Sequence, residues 1–182
     1  MKRRNFLLTS LFAVPFGAFA RLKNFVRPNK GVKVVAGQDR YNGEIKFGGA
    51  HPNNLKVSSK DTDGDLCFFE GDSDSKGGPP LHIHHEQDEI FYVVQGKYHF
   101  QVGDERFELS AGDCLFAPRK VPHTFANVSE GKSKMMTIFQ PAGKMEAFFQ
   151  ELGKFNGRPT PEQFQKLFRD HGMEVVGPPL PV

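Results

Sequence analysis

The middle of the chain alternates apolar and polar residues with the period of a β-strand, in short runs separated by Gly, Pro and Asp. The runs that follow Glu89 predict strands over residues 90–95, 98–102, 107–109, 113–117, 123–128 and 134–140. In the first run, alternation places Glu89, Phe91 and Val93 on one face and the residues between them on the other. Many short strands at this spacing predict an all-β jelly-roll barrel or sandwich.

The pattern before and after these strands is less regular. Upstream, β-branched and apolar runs predict a short strand over residues 32–36 and strands over 55–58 and 65–70, with a possible strand around 44–47. Residues 71–80 are interpreted as a flexible entrance loop that ends in Pro79 and Pro80. We therefore expect the barrel to span residues 32–141.

The C-terminal part changes to a helical period. Apolar residues recur at helical spacing between Gly143 and Gly153, which predicts one helix. A second helix is predicted by the capping box that runs from Thr160 to Gln163, with Pro161 at its first position and Gly172 after its end. Residues 142–182 are thus expected to form a C-terminal helical extension that packs on the barrel or on a partner subunit, and prolines keep residues 177–181 extended.

The first twenty residues have the pattern of an export signal. Lys2, Arg3 and Arg4 precede a mostly apolar run, and Ala18 to Ala20 form a small-X-small cleavage site. The arginine pair is also typical of a twin-arginine signal. We expect residues 1–20 to be a signal peptide, residues 21–31 a linker, and the mature protein to lie in a bacterial periplasm without stable membrane association. A retained anchor or a disordered tail is the alternative.

The net charge of the chain depends on whether the predicted signal peptide is counted. The whole chain has 24 basic and 21 acidic residues, but three of the basic residues belong to the leader, which contains no acid. The mature protein is therefore close to neutral. Nothing in its charge pattern predicts a nucleic acid or an anionic membrane as a partner.

Four residues form a candidate metal site. His82 and His84 are two apart in a predicted strand, so they point the same way, while the adjacent His85 faces outward. A short turn over residues 85–88 lets Glu89 face the same interior, and His123 arrives from a distant strand as a fourth ligand. Three imidazoles and one carboxylate favour one divalent transition metal, such as Fe, Mn, Ni, Cu, Co or Zn.

The same stretch resembles the cupin superfamily in both of its motifs. The first motif, with His-X-His, Glu and a closing Gly, fits His82, His84, Glu89 and Gly96, with Gly77 one position closer than is usual. The second motif fits Gly112, Pro118, His123 and Asn127, but Lys120 stands where the family has Gly. Because Gly there permits a tight turn, we expect Lys120 either to take a less demanding conformation or to bear strain.

This resemblance implies several functions. The chain most resembles the small single-barrel cupins that look like quercetin 2,3-dioxygenases. This resemblance implies an oxygen-dependent dioxygenase that acts on a phenolic or enolisable small molecule. In those enzymes the ligand Glu also accepts the proton of the flavonol hydroxyl, which makes Glu89 the candidate catalytic base. A metal-dependent isomerase, epimerase or lyase is one alternative, and a non-catalytic cupin that binds a metal or small molecule is another. The fold alone does not choose among them.

Further expectations concern the surroundings of the site. Most of the 19 Phe residues must fill the core, but those near the ligands are candidates for lining an apolar substrate pocket: Phe91, Phe100, Phe116 and Phe125. By analogy with cupins that pair through an edge strand, we expect a homodimer. Cys67 and Cys114 lie in apolar strands and are interpreted as buried free thiols, although an exported protein could pair them.

Overall fold

The computed structural model describes residues 27–41, 46–47, 51–157 and 159–182. The strands are β1 (Lys46–Phe47), β2 (His51–Val57), β3 (Cys67–Ser73), β4 (Pro80–His84), β5 (Asp88–Gln95), β6 (Lys97–Val102), β7 (Glu105–Ser110), β8 (Cys114–Ala117), β9 (His123–Asn127), β10 (Ser133–Gln140) and β11 (Met173–Pro179). The helices are α1 (Ser59–Thr62), α2 (Met145–Leu152) and α3 (Pro161–Asp170). The predicted signal peptide and most of the predicted linker lie outside the described residues.

The strands form two antiparallel sheets. The six-stranded sheet has the order β1-β2-β3-β10-β5-β8, and the five-stranded sheet has the order β11-β4-β9-β6-β7. Neighbours that are distant in sequence, such as β3 beside β10 and β4 beside β9, show that the chain crosses between the sheets as in a jelly roll. The predicted all-β jelly roll with two C-terminal helices is confirmed.

The alternation predicted for β5 is the clearest sign of how the barrel is filled. Glu89, Phe91 and Val93 are buried, whereas Tyr92 and Val94 are exposed. The inward residues of β5 join others from β6, β7, β8 and β10 in one apolar cluster inside the barrel, made of Phe91, Val93, Tyr98, Phe100, Leu109, Ala117 and Met135. The metal-site candidates lie next to this cluster, because Glu89 continues the inward face of the same strand.

A second apolar cluster joins the two C-terminal helices to the barrel. Phe69 and Phe139 from the six-stranded sheet pack in it with Phe148, Leu167 and Phe168 from the helices. The predicted capping box of α3 is present, since the Thr160 hydroxyl accepts from the Gln163 backbone N–H and the Gln163 side chain accepts from the Thr160 N–H. The helices therefore pack their apolar faces on their own barrel.

The segment after α3 differs from expectation. The sequence predicts only an extended, proline-rich end, but Met173–Pro179 form β11, which pairs with the histidine-bearing strand β4. Proline lacks the N–H of a regular ladder, and the register of this pair is indeed interrupted twice between Val175 and Pro179. An edge position accommodates these prolines, so the predicted helical extension also completes the five-stranded sheet.

The first described segment also differs from expectation. Residues 32–36 form no strand, so that prediction is wrong. The segment is instead tied by side chains, because Lys56 Nζ donates to the carbonyl oxygens of Val35 and Gln38 and Glu70 accepts from the Gly37 N–H. The β-branched residues there predicted a strand from propensity alone, without a neighbouring strand to pair with.

Smaller corrections concern a loop and a cysteine. The predicted entrance loop over residues 71–80 is shorter, because β3 continues to Ser73 and β4 begins at Pro80. Cys67 is a buried free thiol, as predicted, and burial raises its pKa. Cys114 is free but exposed, so its predicted burial is wrong. Within the described residues, no helix has both the length and the apolar character needed to cross a membrane.

Candidate metal centre

Strand β4 carries the first two ligand candidates into the barrel. Its alternation buries His82 and His84 and leaves Ile83 between them on the other face. The approach to β4 is anchored to β9, since Gly77 and Asn127 exchange backbone hydrogen bonds of 3.0 and 2.9 Å. At Gly78 a Cβ atom would lie 1.8 Å from the Phe125 carbonyl oxygen, so the chain can pass this close to β9 only with glycine there.

The turn after β4 determines the position of the third ligand candidate, Glu89. His85 is exposed, as predicted, and β5 begins at Asp88, so that Glu89 is its first inward residue. Asp88 accepts three hydrogen bonds from Arg119, one from its backbone N–H at 2.9 Å and two from its guanidinium at 3.0 and 2.6 Å. These bonds lower the pKa of Asp88 to about 2. They also tie the start of β5 to the turn that leads into β9.

That turn contains the residue at which the sequence departs from the family motif. Lys120 has φ of 67°, the left-handed conformation in which Gly is usual. Its backbone N–H donates to the His84 carbonyl oxygen at 2.7 Å, so the turn keeps its contact with β4 although it lacks the glycine. Lys120 therefore adopts the left-handed conformation, which is strained for a residue other than Gly, and not the less demanding one. His123 follows as the first residue of β9, directly opposite His82.

The four predicted residues lie together inside the barrel. One potential ligand atom from each of His82, His84, Glu89 and His123 lies within 4.8 Å of all the others. Glu89 Oε2 is 2.9 Å from His123 Nε2 and 3.2 Å from His84 Nε2. All four residues are no more than 6% exposed. His99 and His85 are not part of this group and lie on the surface beside Glu108 and Glu174, respectively.

The hydrogen bonds of the imidazoles show how well the group fits a cation. His82 Nδ1 lies 2.8 Å from the Pro80 carbonyl oxygen, and His123 Nδ1 lies 3.0 Å from that of Val121. A carbonyl only accepts, so both Nδ1 atoms carry the proton and the Nε2 lone pairs are directed elsewhere. His123 Nε2 then faces Glu89 Oε2, another acceptor, at 2.9 Å. Two acceptors at this distance require a proton or a metal ion to satisfy both.

Burial and the neighbouring charges shift the acidities of the group. Burial, together with the imidazoles of His123 and His84, lowers the pKa of His82 to about 3. Burial by itself would raise the pKa of Glu89, but its hydrogen bonds with His123 and His84 outweigh burial and lower it. Burial likewise opposes the protonation of His123, yet the Glu89 carboxylate outweighs it and raises that pKa. At neutral pH the group thus offers an ionised carboxylate and a neutral His82, as metal binding requires.

The predicted pocket phenylalanines divide into two sets. Phe91, Phe100 and Phe125 lie inside the barrel with their rings 4.9 to 5.7 Å apart, and the Phe91 ring lies 6.3 Å from that of His123. Phe116 is 54% exposed and pairs with Ile90 on the outer face of the sheet. Its assignment to the pocket is therefore wrong, because β8 directs Leu115 and Ala117 inward instead.

Two other phenylalanines, which the sequence motifs do not indicate, lie against the histidines. The Phe139 ring lies 5.5 Å from the His84 ring, and the Phe168 ring lies 5.3 Å from the His82 ring in an edge-to-face arrangement. Phe139 is on the inward phase of β10, and Phe168 is on the apolar face of α3. The period of each element predicts their burial, but only the tertiary structure shows which residues they meet.

Comparison with known proteins places these residues in a known domain family. Residues 73–139 match the family described as a cupin domain. An uncharacterized protein of Methanocaldococcus jannaschii is 31% identical over 61 residues, which cover 34% of this chain and 49% of that protein. Acireductone dioxygenase of Candida albicans is 32% identical over 77 residues, which cover 39% of this chain and 43% of that enzyme. The chain thus spans about half the length of the curated relatives it matches.

Among solved structures, KdgF from Halomonas sp. is similar at 27% sequence identity with a TM-score of 0.43. The match covers 50% of this chain and 79% of KdgF. The family match over residues 73–139 contains all four ligand candidates, whereas α2, α3 and β11 lie after it.

Proposed function

We propose that this protein, whose middle residues form a cupin domain, binds one divalent transition metal through His82, His84, Glu89 and His123. The observation that supports this most directly is the 2.9 Å contact between His123 Nε2 and Glu89 Oε2, two atoms that a cation would satisfy together. The mixed nitrogen and oxygen ligand set suits a borderline first-row metal.

We further propose that the centre serves a dioxygenase that acts on a phenolic or enolisable small molecule. The partial match to acireductone dioxygenase supports oxygen chemistry, although it covers less than half of that enzyme. When bound, the metal supplies Lewis acidity and redox chemistry at the site. Phe91 lies beside the His123 imidazole and Phe139 beside the His84 imidazole, and apolar surroundings of this kind suit a small aromatic compound.

Glu89 is the proposed base. Its Oε2 atom contacts both His84 and His123, which leaves Oε1 as the atom that can accept a proton from a substrate hydroxyl. In the metal-free protein, hydrogen bonds with His123 and His84 outweigh burial and lower the pKa of Glu89, so its carboxylate is ionised at neutral pH.

The burial of the site favours a second candidate function, a non-catalytic cupin that holds a metal ion. None of the four ligand candidates is more than 6% exposed, and aromatic residues from β10 and α3 lie against two of the imidazoles. A metal held only for structure or storage needs no access for a substrate. Turnover therefore decides between the two candidates.

The test begins with elemental analysis of protein purified without added metal, for which we expect about one transition metal per chain. The loaded protein is then screened with flavonols and other phenols in an oxygen electrode, and with sugars under anaerobic conditions. Oxygen consumption with a phenol supports the dioxygenase. Turnover without oxygen would indicate an isomerase, epimerase or lyase, and a loaded protein that is inactive in both screens would indicate a binding protein.

Export to the periplasm is a further proposal. It rests on the arginine pair and the cleavage pattern of residues 1–20. N-terminal sequencing of the protein from its native host should find Arg21 as the first residue. An intact Met1 on a soluble cytoplasmic protein contradicts this proposal.

Homodimer formation is also proposed. Within the described residues β8 is an edge strand, and the outer face beside it exposes Tyr92, Val94 and Phe116. A second copy that packs on this face would cover these side chains. Sedimentation of the wild-type protein should give the mass of a dimer, and Phe116→Lys should shift it towards the monomer.

A further inference from the structure

The candidate metal centre is closed by a part of the chain outside the family match. Helices α2 and α3 lie after residue 139, and their apolar faces pack on the barrel beside the histidines. Phe168 of α3 is 2% exposed, and its ring lies edge-to-face against His82 at 5.3 Å with an interplanar angle of 80°. The helix thus contributes an aromatic ring directly to the surroundings of one ligand.

Further aromatic rings surround Phe168. Phe148 of α2 lies 5.0 Å from it, Phe164 lies 5.1 Å from it on the same helix, and both contacts are ring to ring. On the barrel side, Phe139 lies against His84 at 5.5 Å. Phe168 is therefore the helical residue at which this aromatic cluster meets the metal-ligating imidazoles. A planar aromatic compound of similar size would find edge-to-face partners in the same position.

In the described residues, the polar contacts of α2 and α3 join the two helices to each other and α2 to α1. The described contacts include Lys144 Nζ to the Asp170 carbonyl oxygen at 3.0 Å, and Glu151 with His171 at 3.8 Å. Helix α2 is also tied to α1, because Glu146 accepts hydrogen bonds from Ser58 and Ser59. The contacts of α3 with the barrel are thus mainly apolar, while its C-terminal end is held because β11 follows it and pairs with β4.

We propose that Phe168 determines the substrate specificity of the centre by occupying the position that the aromatic ring of the substrate takes, and that α3 must move for the substrate to enter. This inference rests on the proposed function and refines it. It selects small planar phenols over sugars and aliphatic acids, because only a planar aromatic ring can replace the contacts of Phe168 with His82 and Phe148. The helix also controls how quickly a metal ion can leave the closed site.

The test uses the whole protein loaded with Zn²⁺, which is redox-inactive, so neither measurement depends on catalysis. The first measurement is the rate of Zn²⁺ release to the chromogenic chelator 4-(2-pyridylazo)resorcinol. The second is the affinity for 4-nitrocatechol, whose absorption spectrum changes when it binds a metal. The variant is Phe168→Ala. The matched control is Phe164→Ala, which removes the same side chain one turn earlier, at a position whose ring lies against Phe168.

We expect Phe168→Ala to release Zn²⁺ at least tenfold faster than wild type and to bind 4-nitrocatechol at least tenfold more tightly. Phe164→Ala should stay within about twofold of wild type in both measurements. Phe168→Leu keeps apolar volume but removes the ring, and it should give intermediate values, so it provides the test if the alanine variant does not fold. Circular dichroism shows which variants are folded.

Zn²⁺-loaded Phe168 variants that match wild type in both measurements would overturn the inference and leave the metal centre intact. Equal changes in the Phe164 and Phe168 variants would also overturn it, because they would reflect a general loosening of α3. If the wild-type protein binds no metal, the proposed function fails and this inference fails with it.

Discussion

Replacing Glu89 by Gln separates the role of this residue as a metal ligand from its role as a base. The substitution keeps the size of the side chain and one oxygen atom, but it removes the negative charge and the basic site. In the structure, Oε2 lies 2.9 Å from His123 Nε2 and 3.2 Å from His84 Nε2, and the side chain is buried. Loss of the carboxylate charge therefore affects the imidazoles of both His84 and His123.

The metal-free protein should lose little stability. Hydrogen bonds to charged groups contribute about 1.5–3 kcal/mol, and the protonated His123 makes such a bond with Glu89. In Glu89→Gln, neutral His123 can still donate through Nδ1 to Val121 and accept at Nε2 from the new amide. We expect a loss of about 1–2 kcal/mol at pH 6. Because the pKa of His123 is raised in the folded wild type, this difference should fade as the pH rises through that pKa.

Metal affinity and turnover should change by different amounts. Three imidazoles remain, so the variant should still bind metal, about 100-fold more weakly or worse, since even changes to residues that only orient ligands cost 10–100-fold. Turnover should fall much further under metal-saturating conditions. A general base commonly contributes on the order of 10²–10⁴ in rate, and the amide cannot accept the proton.

The assay measures oxygen consumption with a phenolic substrate at saturating metal, and competition with a chelator gives the metal affinity. Glu86→Gln is the matched control, because Glu86 is exposed in the same turn and should behave as wild type. Metal-loaded Glu89→Gln that retains full turnover refutes the assignment of Glu89 as the base and leaves it a ligand only. Activity absent from both the wild type and the variant, with only the metal affinity changed, supports a binding protein.

Three other predictions test the site and its supporting turn. His84→Ala should deplete the bound metal, whereas His85→Ala should leave metal content unchanged by elemental analysis; equal depletion in both would show that the strand phase is wrong. The metal-free protein should lose stability as the pH falls below 6.5, by up to about 1.4 kcal/mol per pH unit. The reason is that His82 in the folded protein has a pKa of about 3, whereas in the unfolded chain it is protonated near its ordinary pKa. A free energy of unfolding, measured with urea, that stays constant between pH 6.5 and 5 contradicts this. Lys120→Gly should raise the free energy of unfolding by less than about 1 kcal/mol. Glycine removes the strain of the left-handed conformation, but its greater flexibility in the unfolded chain offsets part of this gain. A decrease in the free energy of unfolding would show that the Lys side chain stabilises the turn.

The grouping of the four ligand candidates could be predicted because it depends on local rules. Strand alternation is a period of two, so the spacing of His82 and His84 and the inward phase of Glu89 can be found without knowledge of the fold. The cupin motif then related His123 to them. The ends of α2 and α3 could be predicted for the same reason, because caps and helical periods are properties of neighbouring residues.

The errors arose where a residue's surroundings depend on distant parts of the chain. The aromatic character of Phe116 favours a pocket residue, but the phase of β8 turns it and Cys114 outward. The prolines of β11 argue against a strand, and only its edge pairing with β4 accommodates them. The contact between Phe168 and His82 joins elements that no local pattern relates.

The pairing of β4 with β11 has a consequence for how the protein is made. On the β9 side, β4 has a single register pair, His82 with His123, whereas β11 pairs with residues from Pro80 to His84. During synthesis the residues of β4 leave the ribosome long before those of β11. The histidine-bearing strand therefore lacks its more extensive neighbour while the nascent chain grows, and the centre acquires its final arrangement only after Met173–Pro179 have been made. A metal ion held by the proposed centre would therefore bind to the completed chain, in whichever compartment that chain folds.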